Sequence, residues 1–229
     1  MTCQLCRADR ELRRSHVIPA FLYRGERGDR DLGEPGGSRL ERPVREHLLC
    51  DGCEGFLNDH YEQPFRREWR RMLAVSSGLR PPDVRFLEDV DYAAVKLFLL
   101  SVFFRASVAS RSPFGPFDLP PADLEAVRDM IRAREPGPDT RYPIVCRAVV
   151  DRRGRVVHSV QVPLRRTRFA RTVLTMVFGG FEWNVFATTT HVPEIAAIRL
   201  SSVGLLPLAA SSADALAGRA GNGGSRLRG

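Results

Sequence analysis

The sequence predicts an α+β protein with an N-terminal zinc-bound unit, a set of helices packed on an antiparallel β-meander, and a disordered C-terminal tail. Three observations support this fold class. Two Cys-x-x-C pairs lie in the first 53 residues. The middle of the chain has the apolar spacing of helices, and the period changes to that of strands after residue 141. With 229 residues, 43% of them hydrophobic, the chain can also form a substantial core.

The strongest local signal is the arrangement of four of the five cysteines. Two residues between paired cysteines let a tight turn aim both sulfurs at one ion about 2.3 Å away. The two pairs are 43 residues apart, as expected for two halves of one tetrahedral site. The alternatives are two unrelated turns or a thioredoxin-like redox pair. We predict a structural Zn²⁺ bound by Cys3, Cys6, Cys50 and Cys53, and place Cys146 in the core.

Apolar periodicity and turn residues give the domains and elements. Residues 1–79 are predicted to be the zinc-binding domain, residues 84–207 an α+β domain, and residues 208–229 a disordered tail. The Gly-rich and charged stretch 24–46 predicts a mobile loop or an irregular hairpin arm. Helices are expected over 54–73, with a kink or split at Pro64, over 92–110 and over 120–134. Strands are expected over 142–150, 156–164, 169–178 and 181–188, with one more strand or a short helix in 195–206.

The positive charge is concentrated in one segment. The net charge is +8, and residues 141–171 alone hold nine basic side chains against one acidic one. A concentrated basic patch is what an anionic partner needs, although charged hairpin turns would give the same pattern. Few aromatic residues interleave with these arginines, so the sequence alone does not predict base stacking. The candidate nucleic-acid-binding residues are Arg147, Arg152, Arg153, Arg155, Arg165, Arg166, Arg168 and Arg171.

The sequence lacks the patterns of two classes of protein, membrane-spanning proteins and secreted proteins. No apolar run reaches the roughly 18–20 residues of a membrane-spanning helix. The N-terminus lacks the basic and then apolar pattern of a secretory signal. The sequence therefore predicts a soluble cytoplasmic protein with no membrane partner, and it leaves the oligomeric state open.

The first 62 residues resemble the HNH endonuclease superfamily. The resemblance rests on the order of a Cys-x-x-C pair, the segment Ser15-His16-Val17-Ile18-Pro19, and Leu48-Leu49-Cys50-x-x-Cys53-Glu54. It implies a treble-clef-like ββα-metal fold clamped by zinc. It also implies that His16 is a general base, which activates water against a phosphodiester while a divalent metal stabilises the developing charge.

Three positions depart from the pattern of this family. Ser15 stands where the family has an acidic metal ligand, Arg45 falls at the position of its Asn, and Glu54 replaces the His after the second Cys pair. A catalytic Mg²⁺ or Mn²⁺ is expected on Glu54 together with Asn58, or alternatively with Asp59 or His60. The alternative for His16 is a structural histidine that hydrogen-bonds the zinc site.

Three functions follow as hypotheses. The first is a metal-dependent endonuclease that acts on nucleic acid, DNA more than RNA, with His16 and Glu54 as catalytic residues. Small HNH-like proteins with an added domain resemble bacterial host-defence nucleases, which is an analogy at the level of the fold. The second is a catalytically inactive nucleic-acid-binding protein on an HNH-like scaffold, favoured by Ser15 and Arg45. The third is a protein-interaction module in which zinc serves only folding, favoured by the nearly neutral charge of residues 1–75.

Overall fold

A computed structural model describes residues 1–23, 40, 42–110, 114 and 119–214. Most of the predicted loop over 24–46, and residues 215–229 of the predicted tail, lie outside the described residues. The protein is α+β, as predicted, with a cysteine cluster near the N-terminus and a six-stranded sheet, five strands of which come from the C-terminal half.

The N-terminal part is an antiparallel hairpin followed by a helix. Strand β1, Leu12–His16, pairs with β2, Arg45–Cys50, so that Leu12 lies opposite Cys50 and His16 opposite Arg45. The register shifts between Arg13 and Arg14. Helix α1, Asp51–Leu57, begins directly after Cys50. The hairpin thus brings the start of β1 and the end of β2 next to the start of α1.

The helix that follows the second Cys pair is split, but not by a simple kink. Helix α1 runs into a π-helical turn, Asn58–Glu62, and then into α2, Gln63–Ser76. Pro64 lies in the first turn of α2 and has no N–H to donate. The wider turn accommodates it, since the N–H of Gln63 donates to the carbonyl of Asn58, five residues back.

The sheet is mixed, whereas the sequence predicted an antiparallel meander. Its strands lie in the order β3, β8, β4, β7, β6, β5, and all neighbours are antiparallel except β8 and β4, which are parallel. The strand β8 is inserted between the edge strand β3 and the strand β4. The bounds are β3 Val84–Leu87, β4 Ile144–Val150, β5 Gln161–Arg168, β6 Arg171–Phe178, β7 Phe181–Phe186 and β8 Leu206–Ser212.

The predicted tail begins too early, because residues 208–212 form most of β8. Leu206 and Leu208 are completely buried in the main core, and small residues follow them. The composition rich in Ala and Ser is typical of a tail, but small side chains also fit a strand that has neighbours on both sides. Only the partners β3 and β4, distant in sequence, distinguish the two cases.

The strand predicted over 156–164 is shifted along the chain. Val156 forms only an isolated bridge with Val150, and β5 begins at Gln161. The predicted strand start at Phe169 is instead a turn, in which Phe169 and Ala170 have φ values of +49° and +55°. Such a two-residue turn normally contains Gly or Asn, which is why the sequence did not indicate it.

One hydrophobic core connects the two halves of the chain. Helix α3, Tyr92–Val108, is buried on all sides and packs beside α4, Pro121–Ala133. The ring of Phe65 in α2 stacks on Phe98 of α3 with centroids 3.8 Å apart, and meets Trp183 of β7 edge-on. Within the part of the chain that is described, no helix is long and apolar enough to cross a bilayer.

Candidate metal centre and candidate active site

The four predicted zinc ligands lie together. The Sγ atoms of Cys3, Cys6, Cys50 and Cys53 are all within 4.8 Å of one another, and those of Cys6 and Cys50 are 3.9 Å apart. A tetrahedron with bonds of about 2.3 Å has edges of about 3.8 Å. The cluster therefore has the size of a Zn²⁺ site. Among the described residues it is the one group of three or more His, Cys, Asp or Glu side chains that could bind a metal.

Local backbone structure positions these sulfurs. Cys3 begins a tight turn in which the N–H of Arg7 donates to the carbonyl of Cys3 at 2.9 Å, and Arg7 takes a φ of +64°. Cys50 ends β2, and Cys53 lies in the first turn of α1. The N–H of Cys50 donates to Sγ of Cys3 at 3.3 Å. Backbone N–H groups directed at sulfur stabilise the thiolate that a metal requires.

The thiol chemistry also fits a divalent cation. Burial raises the pKa of the Cys3 thiol, but hydrogen bonds from backbone groups around Cys6, Cys50 and Leu5 outweigh burial and lower the pKa to about 7. Burial, followed by the neighbouring cysteines, raises the pKa of Cys53 well above its ordinary value. Packed thiolates repel one another, and a bound cation removes that repulsion.

His16 lies at the end of β1 beside two arginines. The Nε–H of Arg45 donates to Nε2 of His16 at 2.7 Å, and Nη1 of Arg105 donates to the backbone carbonyl of His16 at 3.1 Å. Burial lowers the pKa of His16, and the charges of Arg45 and Arg105 lower it further, against a smaller opposite effect of Glu62. The imidazole is therefore neutral near pH 7 and accepts a hydrogen bond at Nε2.

Arg105 is the buried arginine beside His16. Its side chain is 1% exposed and reaches from α3 to Glu62 in the π-helical turn, with Nη1 and Oε1 3.0 Å apart. Glu62 is 15% exposed on its side chain. The same guanidinium donates through Nε to the carbonyl of Ser101. Arg105 thus ties the end of β1 to α3 and to the π-helical turn.

Ser15 and its cross-strand partner face away from His16. Ser15 is completely buried, and its Oγ accepts from the N–H of Leu49 at 3.2 Å. Opposite it in the hairpin, the buried Glu46 accepts at Oε2 from the backbone N–H and the hydroxyl of Ser110. Successive residues of a strand point to opposite faces. Neither side chain is therefore positioned to bind a metal at His16.

The predicted ligands of a catalytic metal are not gathered into a site. Oε1 of Glu54 is buried without a hydrogen-bond partner among the described residues, which suits a ligand. The Nδ2 of Asn58, however, donates to Asp59, and its Oδ1 accepts from Gln63. No described group of three His, Asp or Glu ligand atoms forms around His16 and Glu54. The residues present do not fit a Mg²⁺ or Mn²⁺ site beside His16.

The predicted nucleic-acid-binding arginines lie at three places in the structure. Arg152, Arg153 and Arg155 lie in or next to the turn after β4, where Arg152 pairs with Asp214 and Arg155 with Asp151. Arg165, Arg166, Arg168 and Arg171 lie on the hairpin of β5 and β6 at the sheet edge. Arg147 lies in the middle of the sheet, directly opposite Glu182.

Comparison with protein-family models, with curated proteins and with solved structures finds no match. The resemblance to the HNH superfamily therefore rests on the motif residues alone and stays a prediction, as do the roles of the sites and the division of the chain at residues 79–84.

Sequence reasoning missed Arg105 and the role of Arg45. Arg105 is about 90 residues from His16 in the chain and sits within an apolar helix. A charged residue inside a helix that is apolar on all sides is itself a signal, since a buried charge needs a partner. The sequence marks Arg45 only as a departure from the family motif, although the register of β1 and β2 places it directly opposite His16.

Proposed function

We propose that this chain is a phosphodiester hydrolase acting on nucleic acid, DNA more than RNA, with His16 as the general base. One observation carries the proposal: the imidazole of His16 accepts a hydrogen bond from Arg45 while Arg105 binds the His16 backbone carbonyl, in a hairpin whose other end carries the cysteine cluster. An imidazole with a lowered pKa is a base at neutral pH, and adjacent guanidinium groups attract the phosphate anion.

The side chains suggest how the base becomes available. In the absence of substrate, Nε2 of His16 accepts from Arg45. A phosphate oxygen is a stronger acceptor for the guanidinium than imidazole is, so phosphate binding would draw Arg45 away. Nε2 would then take a proton from a water whose oxygen attacks phosphorus. One P–O ester bond breaks, and the leaving oxygen takes a proton from solvent.

Arg105 has a positioning role in this scheme. It is buried, and it already donates to Glu62 and to the carbonyl of His16. It therefore fixes the end of β1 rather than contacting substrate. Zn²⁺ on the four cysteines would hold the hairpin and the start of α1 together, and its role is structural.

The arginines on the C-terminal sheet support nucleic acid as the substrate. Ion pairs at the surface, such as those of Arg152 and Arg155, are worth about 1 kcal/mol or less and exchange readily for phosphate contacts. Residues 141–171 carry the whole net charge of the chain. Binding should therefore weaken steeply with salt.

A second candidate function is nucleic-acid binding without catalysis. It is favoured by the hydrogen bond that already occupies Nε2 of His16, and by the burial of Ser15 at the position where the family has an acid. The protein-interaction module remains a third candidate, and it predicts no affinity for nucleic acid at moderate salt.

A cleavage assay distinguishes these candidates. Zinc-loaded protein is mixed with supercoiled plasmid, linear duplex DNA or single-stranded RNA, with Mg²⁺, Mn²⁺ or EDTA. His16→Ala is compared with His191→Ala, which removes an exposed histidine in the sheet domain. We expect His16→Ala to reduce cleavage about 10²-fold or more, because a general base contributes about 10²–10⁴-fold, and His191→Ala to leave it unchanged.

The same gels report binding. Equal inertness of the wild type and His16→Ala, in folded zinc-loaded form, would contradict the hydrolase. Retarded migration of uncut nucleic acid that disappears between 50 and 200 mM salt would then favour the binding protein. Unretarded migration would favour the protein-interaction module.

A further inference from the structure

The face of the sheet that is turned away from the main core contains a small cavity. It has a volume of about 80 Å³ and lies where β4, β7 and the β5–β6 turn meet the segment around Glu194. A water molecule needs about 10–15 Å³ of cavity volume, so this cavity has room for the edge of a single ring system. Its polar and aromatic lining residues are Arg147, Arg168, Phe169, Glu182, Asn184 and Glu194.

Glu182 is the acceptor at this cavity. It is 2% exposed, and its Oε2 has no hydrogen-bond partner among the described residues. Within the described part of the chain, its Oε1 receives only a long hydrogen bond of 3.4 Å from Nδ2 of Asn184, whose Oδ1 accepts from Thr175. A buried carboxylate oxygen without a donor is costly. A ligand that brings an N–H group would remove that cost.

Phe169 places an aromatic ring at the same cavity under backbone strain. It is 50% exposed and has a φ of +49°, in a turn where Asn or Gly would be relaxed. Strained residues of this kind cluster at ligand sites. A large exposed ring in the left-handed conformation is unfavourable for folding alone, and it offers a flat surface for stacking.

The charges at the cavity match a ligand with one anionic group. Arg147 and Arg168 form no ion pair with any residue in the described part of the chain, although Arg147 lies opposite Glu182 in the sheet register. Two arginines face two carboxylates here, those of Glu182 and Glu194. The arginines suit a phosphate, and the carboxylates suit a group of the same ligand that donates hydrogen bonds.

We propose that this cavity binds a single nucleotide, with its base stacked on Phe169, an amino group of the base donating to Glu182, and its phosphate on Arg168 and Arg147. Guanine, adenine and cytosine carry an exocyclic amino group. Uracil instead presents its one N–H between two carbonyl oxygens, which a carboxylate repels. The nucleotide comes either free from solution or as an unpaired residue of a nucleic-acid strand. The site does not depend on a catalytic role of His16.

Calorimetric titration of the full zinc-loaded chain tests this proposal. GMP, AMP, CMP, UMP and ribose 5-phosphate are compared at low salt. We expect at least one of the three amino-bearing nucleotides to bind tenfold or more tightly than UMP and ribose 5-phosphate. A duplex with one bulged guanosine, set against the fully paired duplex, separates the two sources of the ligand.

Two variants test the roles of Glu182 and Phe169. Glu182→Gln replaces a hydrogen-bond acceptor with a donor of the same shape. The affinity for nucleotides with an amino group on the base should fall at least tenfold, while the affinity for UMP should not fall. Glu135→Gln, at an exposed glutamate, is the control. Phe169→Asn relieves the turn and removes the ring, so affinity should fall at least tenfold while the Tm is unchanged or higher. Phe86→Ser, at an exposed phenylalanine on the opposite sheet edge, should change neither.

The outcomes separate this site from the hydrolase. His16→Ala should bind nucleotides as the wild type does, even if it cleaves nothing. Preference for the bulged duplex, or binding of free nucleotides alone, would each support the cavity and identify its source of ligand. Equal affinity for all nucleotides and ribose 5-phosphate, insensitive to Phe169→Asn and Glu182→Gln, would overturn the proposal.

Discussion

Arg45 donates its Nε–H to Nε2 of His16 across the pair of residues next to the loop that connects β1 and β2, over 2.7 Å. The contact joins the Arg45 guanidinium to Nε2 of His16, the nitrogen with which His16 would take a proton as a general base. It therefore controls both when His16 is protonated and whether its lone pair is available. Arg105 and Glu62 are the other charged groups that act on the imidazole.

Removing the charge of Arg45 should raise the pKa of His16. Burial and the two arginines hold that pKa below about 6.5 in the wild type. In Arg45→Gln, the imidazole should titrate at higher pH, and the acid limb of any cleavage profile should move with it. NMR titration of the His16 ring proton measures this change. Arg14→Gln, at an exposed residue of the same strand, should leave the pKa unchanged.

The same shift has a consequence for stability. Because the folded state lowers the pKa of His16, the unfolded chain binds the proton more readily. The contribution of His16 to the free energy of unfolding is complete above about pH 6.5. It is lost as the pH falls from there toward the pKa of His16 in the folded protein. Urea unfolding between pH 7 and pH 5 should show a smaller acid loss for Arg45→Gln than for the wild type. An equal loss in both would contradict the role of Arg45.

Breaking the buried pair of Arg105 and Glu62 should be strongly destabilising. Arg105→Met leaves the Glu62 carboxylate without its partner, and loss of one member of a buried pair costs about 3–5 kcal/mol. Arg105→Met combined with Glu62→Gln should recover part of that loss. Chemical denaturation measures both.

Arg128 in α4 is the matched control for this experiment. It is also buried, but its partner Glu125 is half exposed and can be solvated when left alone. Arg128→Met should therefore destabilise the fold by less than Arg105→Met. Equal costs for the two substitutions would show that the Glu62 charge is not the cause.

The cysteine cluster should bind one Zn²⁺ per chain. Cys50→Ser removes a ligand that also donates its N–H to the sulfur of Cys3, so bound zinc should fall well below one per chain. Cys146→Ala removes a buried thiol elsewhere in the core and should keep one zinc. Elemental analysis gives the stoichiometry. Chelation should lower the Tm, because zinc binding in such sites supplies folding free energy. Full zinc occupancy in Cys50→Ser would exclude the tetrahedral site.

The turn between β6 and β7 should not tolerate a side chain. A Cβ added at Gly180, which has a φ of +87°, would lie 2.4 Å from Cγ1 of Val156, so Gly180→Ala should cost about 1–3 kcal/mol. Gly55 in α1 has no atom within 4 Å of such a Cβ, and Gly55→Ala should stabilise by about 0.5–1 kcal/mol. Thermal unfolding compares the two, and similar effects at both positions would contradict the contact at Val156.

The sequence predicted most elements but not the sheet. Apolar periodicity placed α3 and α4 within two residues of their observed bounds, because helical contacts are local. It missed β3 and misassigned β8, since both depend on pairing across more than 100 residues. The turn at Phe169 and Ala170 was missed because no residue there has the chemistry of a turn.

The sequence by itself determined the four cysteines that cluster, the α+β class and the segment that carries the positive charge. These follow from residue type and short spacing, which the chain specifies locally. Only the tertiary structure decided that β8 lies between β3 and β4, that Arg45 and Arg105 accompany His16, and that Phe169, Arg147 and Glu182 line one cavity. Those arrangements arise from strand register and from buried charges finding partners, and both are settled by packing between distant segments.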